Sequence, residues 1–139
     1  IETKTDSIYL YEPKNGLTSS VYYDGSETPS EHGFYDKKAL DSKGKYDVFF
    51  GGNHGTVVIE TDLSDSSMED RKLLVLKDSY ANCFLPFAAM HYPSIHVLDL
   101  RYFNQRLSSY IEENEITDIL VLYSTYNFVT DIYFPKFNL

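Results

Sequence analysis

The rhythm of apolar and polar positions changes near residue 72. Before it, short apolar runs are broken repeatedly by Gly, Pro, Asn and Asp. After it come three nearly continuous apolar stretches, residues 73–77 (LLVLK), 95–99 (IHVLD) and 119–123 (ILVLY), separated by segments of helical period. Strands that are apolar on both faces and alternate with helices belong to a parallel sheet covered on both sides. The second part of the chain therefore predicts β-α-β-α-β, with helices at 85–91 and 105–114. In the first helical segment Ala81, Phe84, Leu85, Ala88 and Ala89 share one face, but Pro86 would break a helix already under way at Tyr80. A sharp turn over 78–83, with Pro86 in the first turn of the helix after it, reconciles the two. In the second, Leu107, Tyr110 and Ile111 form the apolar stripe, Glu112 and Glu113 face outward, and Asn114 marks the stop.

The first part reads as hairpins and loops. Residues 8–12 (IYLYE) and 19–23 (SSVYY) flank PKNGL, whose Asn15-Gly16 pair favours a two-residue turn, so an N-terminal hairpin is expected. Residues 24–45 form a polar loop with a short helix at 36–41. Residues 46–50 (YDVFF) and 56–60 (TVVIE) form a second expected hairpin around GGNHG, and 61–71 is a second polar loop. The fold class is α/β, with a mainly parallel sheet and N-terminal β-hairpins. At 139 residues the chain makes one domain, 1–139, in which 1–45 is peripheral and 46–139 carries a β-hairpin and the βαβαβ core.

Charge and composition narrow the classes of function. A net charge of −9 with no basic cluster argues against nucleic acid. No apolar run reaches the roughly 18 residues of a membrane-spanning helix. The chain begins at Ile1 with no signal-peptide pattern, which points to a mature or excised C-terminal piece. The lone Cys83 lies in an apolar stretch and reads as a small buried hydrophobe rather than a reactive thiol. The tyrosines fall in strand-like runs and suit half-buried strands, with sugar stacking as the functional alternative. The histidines and carboxylates have no metal-ligand spacing, GGNHG lacks the ending of a phosphate loop, and no dinucleotide fingerprint is present, so neither metal nor cofactor is expected.

One position invites chemistry. Ser79 follows a predicted parallel strand and precedes a helix, where a hydroxyl is lifted out of the sheet and backbone N–H groups can receive an oxyanion. The alternative is a serine that merely belongs in a turn. A serine nucleophile needs a histidine oriented by a carboxylate. His32 lies in a polar loop, His91 at a helix end and His96 on a strand. His54, in GGNHG, is the one placed to approach Ser79, and a turn histidine among glycines is the alternative.

The segments KYDVFFGGNHG, KLLVLKDSYANCFLPFAAMHYPSIHVLDLRYFN and YIEENEITDILVLYSTYNF resemble the C-terminal portion of DHHW-family proteins, over residues 45–131. These are mainly exported proteins of Gram-positive bacteria, similar to the SGNH-like domain of periplasmic alginate O-acetyltransferases. The resemblance implies a partial, permuted three-layer α/β/α sandwich of SGNH-hydrolase type and matches Ser79 to the proposed nucleophile. It departs from SGNH enzymes in having Lys77-Asp78-Ser79 in place of Gly-Asp-Ser, and no Gly in Asp99-Leu100-Arg101-Tyr102. Asn127 is a loose match to an oxyanion asparagine, and Asn82 and Asn53 are lesser candidates. Asp78 and Tyr80 shape the turn, Asp78 by accepting backbone N–H bonds. The family's Asp-His pair has no counterpart here, so the base is expected on a segment outside this chain, or from His54. The implied function is an exported or cell-envelope serine esterase or O-acyltransferase acting on acyl (acetyl) esters of surface glycans, nearly inactive as this piece. The alternative is a non-catalytic domain binding glycan or protein on the same scaffold. Exposed sheet edges add the expectation of a homodimer.

Overall fold

The computed structural model describes residues 7–14, 16–63 and 66–133. A five-stranded mixed sheet is built from β1 (Ser19–Tyr23), β2 (Thr56–Thr61), β3 (Lys72–Lys77), β4 (Ser94–Leu98) and β5 (Asp118–Leu122), in the order β1-β2-β4-β3-β5. β3 pairs in parallel with β4 and β5, as the apolar runs predict, and β2 joins antiparallel to β1 and β4. Four strands thus point one way and β2 runs against them. The carboxyl ends of β1, β4, β3 and β5 and the start of β2 meet along one edge.

β3 and β4 lie inside the sheet, and their alternate residues feed two cores. On one face Leu73, Val75, Ile95 and Val97 meet Val21, Ile59, Leu85, Ala88 and Ala89; on the other Leu74, Leu76 and Leu98 meet Phe103, Leu107 and Tyr110. The first core is covered by α1 (Leu85–Ala88) and the second by α2 (Leu107–Glu113). Truncating one of these buried leucines to alanine costs about 2–5 kcal/mol. Helical segments therefore pack on both faces of the strand pair that carries Ser79.

The turn ahead of α1 takes the expected form. A 3-10 helix over Ser79–Cys83 leads into α1, and Pro86 stands in its first turn, where a missing N–H costs nothing. Ala81, Leu85, Ala88 and Ala89 are buried as the face predicts, but Phe84 is 40% exposed. Cys83 is exposed too: the 3-10 turn rotates it outward, and its thiol donates to the Tyr80 carbonyl. A third helix, α3 (Thr125–Thr130), was not foreseen; it buries none of its side chains, so no apolar stripe announces it.

Both predicted hairpins are replaced by longer-range pairing. Residues 8–12 form no strand; Ile8, Tyr9 and Tyr11 are exposed, and β1 pairs instead with β2, which offers Val57 and Ile59 to the core. Asn15 lies outside the described residues, and Gly16 has a φ of 76°. Residues 46–50 are not a strand either. Val48, Phe49 and Phe50 are all buried, which an extended chain facing one core cannot achieve. The backbone coils through a 3-10 helix at Lys45–Val48 and reverses at Phe50, φ 63°. The short helix expected at 36–41 is present as a 3-10 turn, Lys37–Asp41, capped by Asp36.

Candidate functional site

The polar residues of interest gather along the carboxyl edge. Ser79 opens the 3-10 turn directly after β3 and Asp78 is its N-cap, the arrangement that a strand ending in Asp-Ser favours. Asp78 is 3% exposed, yet its carboxylate is fully engaged. Oδ1 accepts the Tyr80 N–H at 3.0 Å. Oδ2 accepts the Ser124 N–H and the Asn127 amide N–H, each at 2.8 Å. Burial pushes this carboxyl up, but the bonds from Ser124, Asn127 and Tyr80 outweigh it and hold the group below its usual range. Asp78 is therefore an anionic clasp that ties the Ser79 turn to β5 and α3.

That clasp leaves Ser79 with little to hold. The residue is half-buried, and its hydroxyl has no hydrogen-bond partner among the described residues. No turn or cap bond among them takes up its backbone N–H. The Tyr80 side chain is 70% exposed, and its carbonyl accepts from the Tyr46 hydroxyl at 3.2 Å. Asn82 is 3% exposed and makes no side-chain hydrogen bond among the described residues. The Asn127 amide is given to Asp78, and its own N–H is capped by Ser124 Oγ at 3.3 Å.

A second cluster lies beneath. Lys77 and Asp99, 2% and 1% exposed, face each other at 3.5 Å, and Lys77 also reaches Asn53 Oδ1 at 3.3 Å. Arg101 grips Asp99 with two bonds, Nε at 2.9 Å and Nη2 at 2.6 Å. Burial lowers the Lys77 ammonium below the usual lysine range, opposed by Asp99. Asn53 thus supports the buried lysine. The non-glycine residues at 77 and 101 form an ion-paired brace under the Ser79 turn.

His54 sits on the same edge but is engaged elsewhere. Its Nδ1 is 3.0 Å from Asp24 Oδ2, its Nε2 is 2.9 Å from the Phe50 carbonyl oxygen, and its ring stacks on Tyr23 with centroids 4.0 Å apart. Burial raises the Asp24 carboxyl, while the Thr56 N–H and His54 more than offset that and hold it below its ordinary value. His96 is buried as expected: burial depresses its pKa from 6.5 to about 4, and Nδ1 meets the Tyr110 hydroxyl at 2.8 Å. His32 and His91 are exposed. Among the described residues no histidine is hydrogen-bonded to Ser79, no cluster of three or more His, Cys, Asp or Glu could hold a metal ion, and no helix is long and apolar enough to cross a membrane.

Three supports escaped the sequence reading: Asp24, Ser124 and the Lys77–Asp99–Arg101 brace. Ser124 carried a usable signal, a serine just past an apolar strand whose Oγ caps the N–H three residues on. The brace carried none, because Lys77 ends β3 while Asp99 and Arg101 follow β4, more than twenty residues on.

No protein-family model and no curated protein matches the chain. Among solved structures it is similar to a DHHW family protein from Eubacterium siraeum, with 29% identity and a TM-score of 0.68 over 88% of this chain and 40% of that one. It is similar also to PatB1 of Bacillus cereus, with 29% identity and a TM-score of 0.69 over 89% and 41% of the two chains. A structure of PatB1 with a sulfonyl adduct matches equally well, at 29% identity and 0.69, over 88% and 42%. The chain spans about two-fifths of the length of these neighbours. The resemblance to the DHHW family drawn from DSYAN and GGNH thus holds at the level of the fold.

Proposed function

We propose that this chain is the nucleophile-bearing part of a serine esterase or O-acyltransferase of SGNH type, its mixed sheet and flanking helices being part of a permuted α/β/α sandwich. The observation that carries this reading is the Ser79 hydroxyl, half-exposed and without a partner among the described residues, on a turn whose carboxylate is fully engaged. The neighbour that carries a sulfonyl adduct adds support, since sulfonyl reagents mark nucleophilic side chains. In the reaction Ser79 Oγ attacks the ester carbonyl carbon, and its proton passes to a base. The Ser79 N–H, together with the Asn82 amide, receives the oxyanion. The carbon–alkoxide bond breaks, the base returns the proton to the departing alcohol, and an acyl-serine remains for water or an acceptor alcohol. With both His54 nitrogens occupied, the base in this reading is an imidazole from outside the chain. Export and a surface glycan as alcohol component are parts of the same proposal.

The test is turnover of p-nitrophenyl acetate with and without free imidazole in solution. The reading predicts a rate near background for the chain alone and, with imidazole, a saturable rate above that of imidazole alone, an excess that Ser79→Ala removes. Imidazole-independent, saturable turnover in Ser79→Ala would overturn it.

A second reading rests on a cavity of about 550 Å³ that shares no lining residue with the Ser79 turn and is walled by Tyr22, Tyr102, Asn104, Gln105 and Asn114. Tyrosine faces and side-chain amides suit hydroxyl-rich ligands, which would make the chain a glycan-binding domain. Saturable binding of an oligosaccharide that Tyr102→Ala abolishes, with no Ser79 reactivity, would favour it.

A further inference from the structure

The loop that carries GGNHG is tied to the chain on either side of Ser79. Near its start Tyr46 donates its hydroxyl to the Tyr80 carbonyl at 3.2 Å, and near its end Asn53 Oδ1 accepts from Lys77 Nζ at 3.3 Å. Between them the backbone doubles back through Gly51 and Gly52, with φ of 72° and 119°, the region that favours glycine. Lys77 is 2% exposed, and burying an ammonium is costly. Asp99 does not require it, since Arg101 already grips that carboxylate with two bonds, at 2.9 and 2.6 Å. What Lys77 alone does among the described residues is hold the Asn53 side chain. An ammonium can only donate, so the atom facing it is the amide oxygen, and the Asn53 NH2 is turned away from the lysine. That NH2 has no partner among the described residues, and Asn53 is exposed at the carboxyl edge. An amide whose oxygen takes a bond from a cation is polarised, and its N–H groups become stronger donors.

We propose that Asn53 is a further oxyanion donor for the Ser79 reaction and that Lys77 is the residue that positions it. As Ser79 Oγ attacks the ester carbon, the Asn53 N–H meets the carbonyl oxygen on which charge collects. The proposal rests on Ser79 as nucleophile, and it adds a third donor to the Ser79 N–H and the Asn82 amide. It also gives the buried ammonium a use beyond the brace: its charge acts on the oxyanion through one carboxamide.

The experiment uses the whole chain, free imidazole and a methyl fluorophosphonate, with the adduct located by peptide mass spectrometry. Ser79 Oγ attacks phosphorus, fluoride leaves, the serine proton passes to imidazole, and the phosphoryl oxygen stands where the oxyanion would. Asn53→Asp and Asn53→Ala are each expected to capture about a hundredfold more slowly than wild type. Aspartate still accepts from Lys77, so a residue that only supports the lysine would survive that change with its capture rate within twofold. Lys77→Met, which leaves Asp99 to Arg101, is expected to be about tenfold slower. In wild type the Asn53 side-chain amide protons should shift downfield when the adduct forms, and in Lys77→Met they should not. A wild-type rate in Asn53→Asp, or amide protons that adduct formation leaves unmoved in wild type, overturns the proposal while leaving Ser79 a nucleophile. Absence of any Ser79 adduct in wild type overturns the nucleophile and this role with it. Should Lys77→Met fail to fold, Asn53→Asp and the wild-type amide protons decide alone.

Discussion

His54 and Ser79 stand on turns along the same edge of one sheet, and they differ in what is left over. Both imidazole nitrogens are engaged, by Asp24 and by the Phe50 carbonyl, and one ring face is covered by Tyr23. The serine hydroxyl is half-exposed and partnerless among the described residues, because the Asp78 carboxylate beside it is given to three other donors. A residue of catalytic type that is fully partnered is a strut; one left unpartnered by a rigid turn is available to a substrate. Under the proposed function, the reactive group at this edge is the polar atom that the described residues leave without a partner.

The comparison can be broken by removing each group in turn, since struts should cost stability and a nucleophile should not. The largest loss is expected at the brace beneath both turns. Asp99→Leu strands the buried Lys77 ammonium with Asn53 alone, at a cost of about 3–5 kcal/mol. Urea unfolding measures it, and an unchanged midpoint would remove the brace from the account.

His96 calibrates the histidines. Its folded pKa of about 4 lies below the unfolded 6.5, so the unfolded chain binds the proton first as pH falls. Its contribution is complete above pH 6.5 and is lost between 6.5 and 4, a decline of about 3 kcal/mol. His96→Phe should abolish that slope in unfolding midpoints taken across the window, and a slope that survives would assign it to other groups.

Asp78→Asn comes next. It keeps the shape but loses the anionic acceptor for Ser124 and Asn127, costing about 1–3 kcal/mol. Its folded pKa lies below 3.8, so the gap between wild type and variant should be full above that pH and close as pH falls through the lower folded value. Equal stability at pH 7 would dissolve the clasp. His54→Ala should cost about 1 kcal/mol, from hydrogen bonds and stacking. Ser79→Ala should stay within about 0.5 kcal/mol of wild type, and a larger loss there would make the serine structural.

How much of this was legible depended on whether the signal was local. The strands after residue 72 and both helices between them could be read because their apolar periodicity is contiguous. So could the turn at 78–83, from Pro86 and the Asp-Ser pair. The N-terminal hairpins misled because a local turn signal, Asn15-Gly16, says nothing of a better partner forty residues away, and β1 found β2. Phe49 and Phe50 looked like strand residues because period cannot show that three neighbours are all buried. α3 was invisible because it buries nothing. Ser79 was named from its place after a strand, but its freedom and the engagement of His54 emerge only when distant carboxylates and carbonyls are placed around them.

The most direct test of the central claim is the site of covalent capture by a fluorophosphonate, compared across wild type, Ser79→Ala and His54→Ala with imidazole present. The account predicts an adduct on Ser79 in wild type, none in Ser79→Ala, and a rate in His54→Ala within about twofold of wild type, a difference of some 0.4 kcal/mol. An adduct on another residue, or a rate that collapses when His54 is removed, would contradict it.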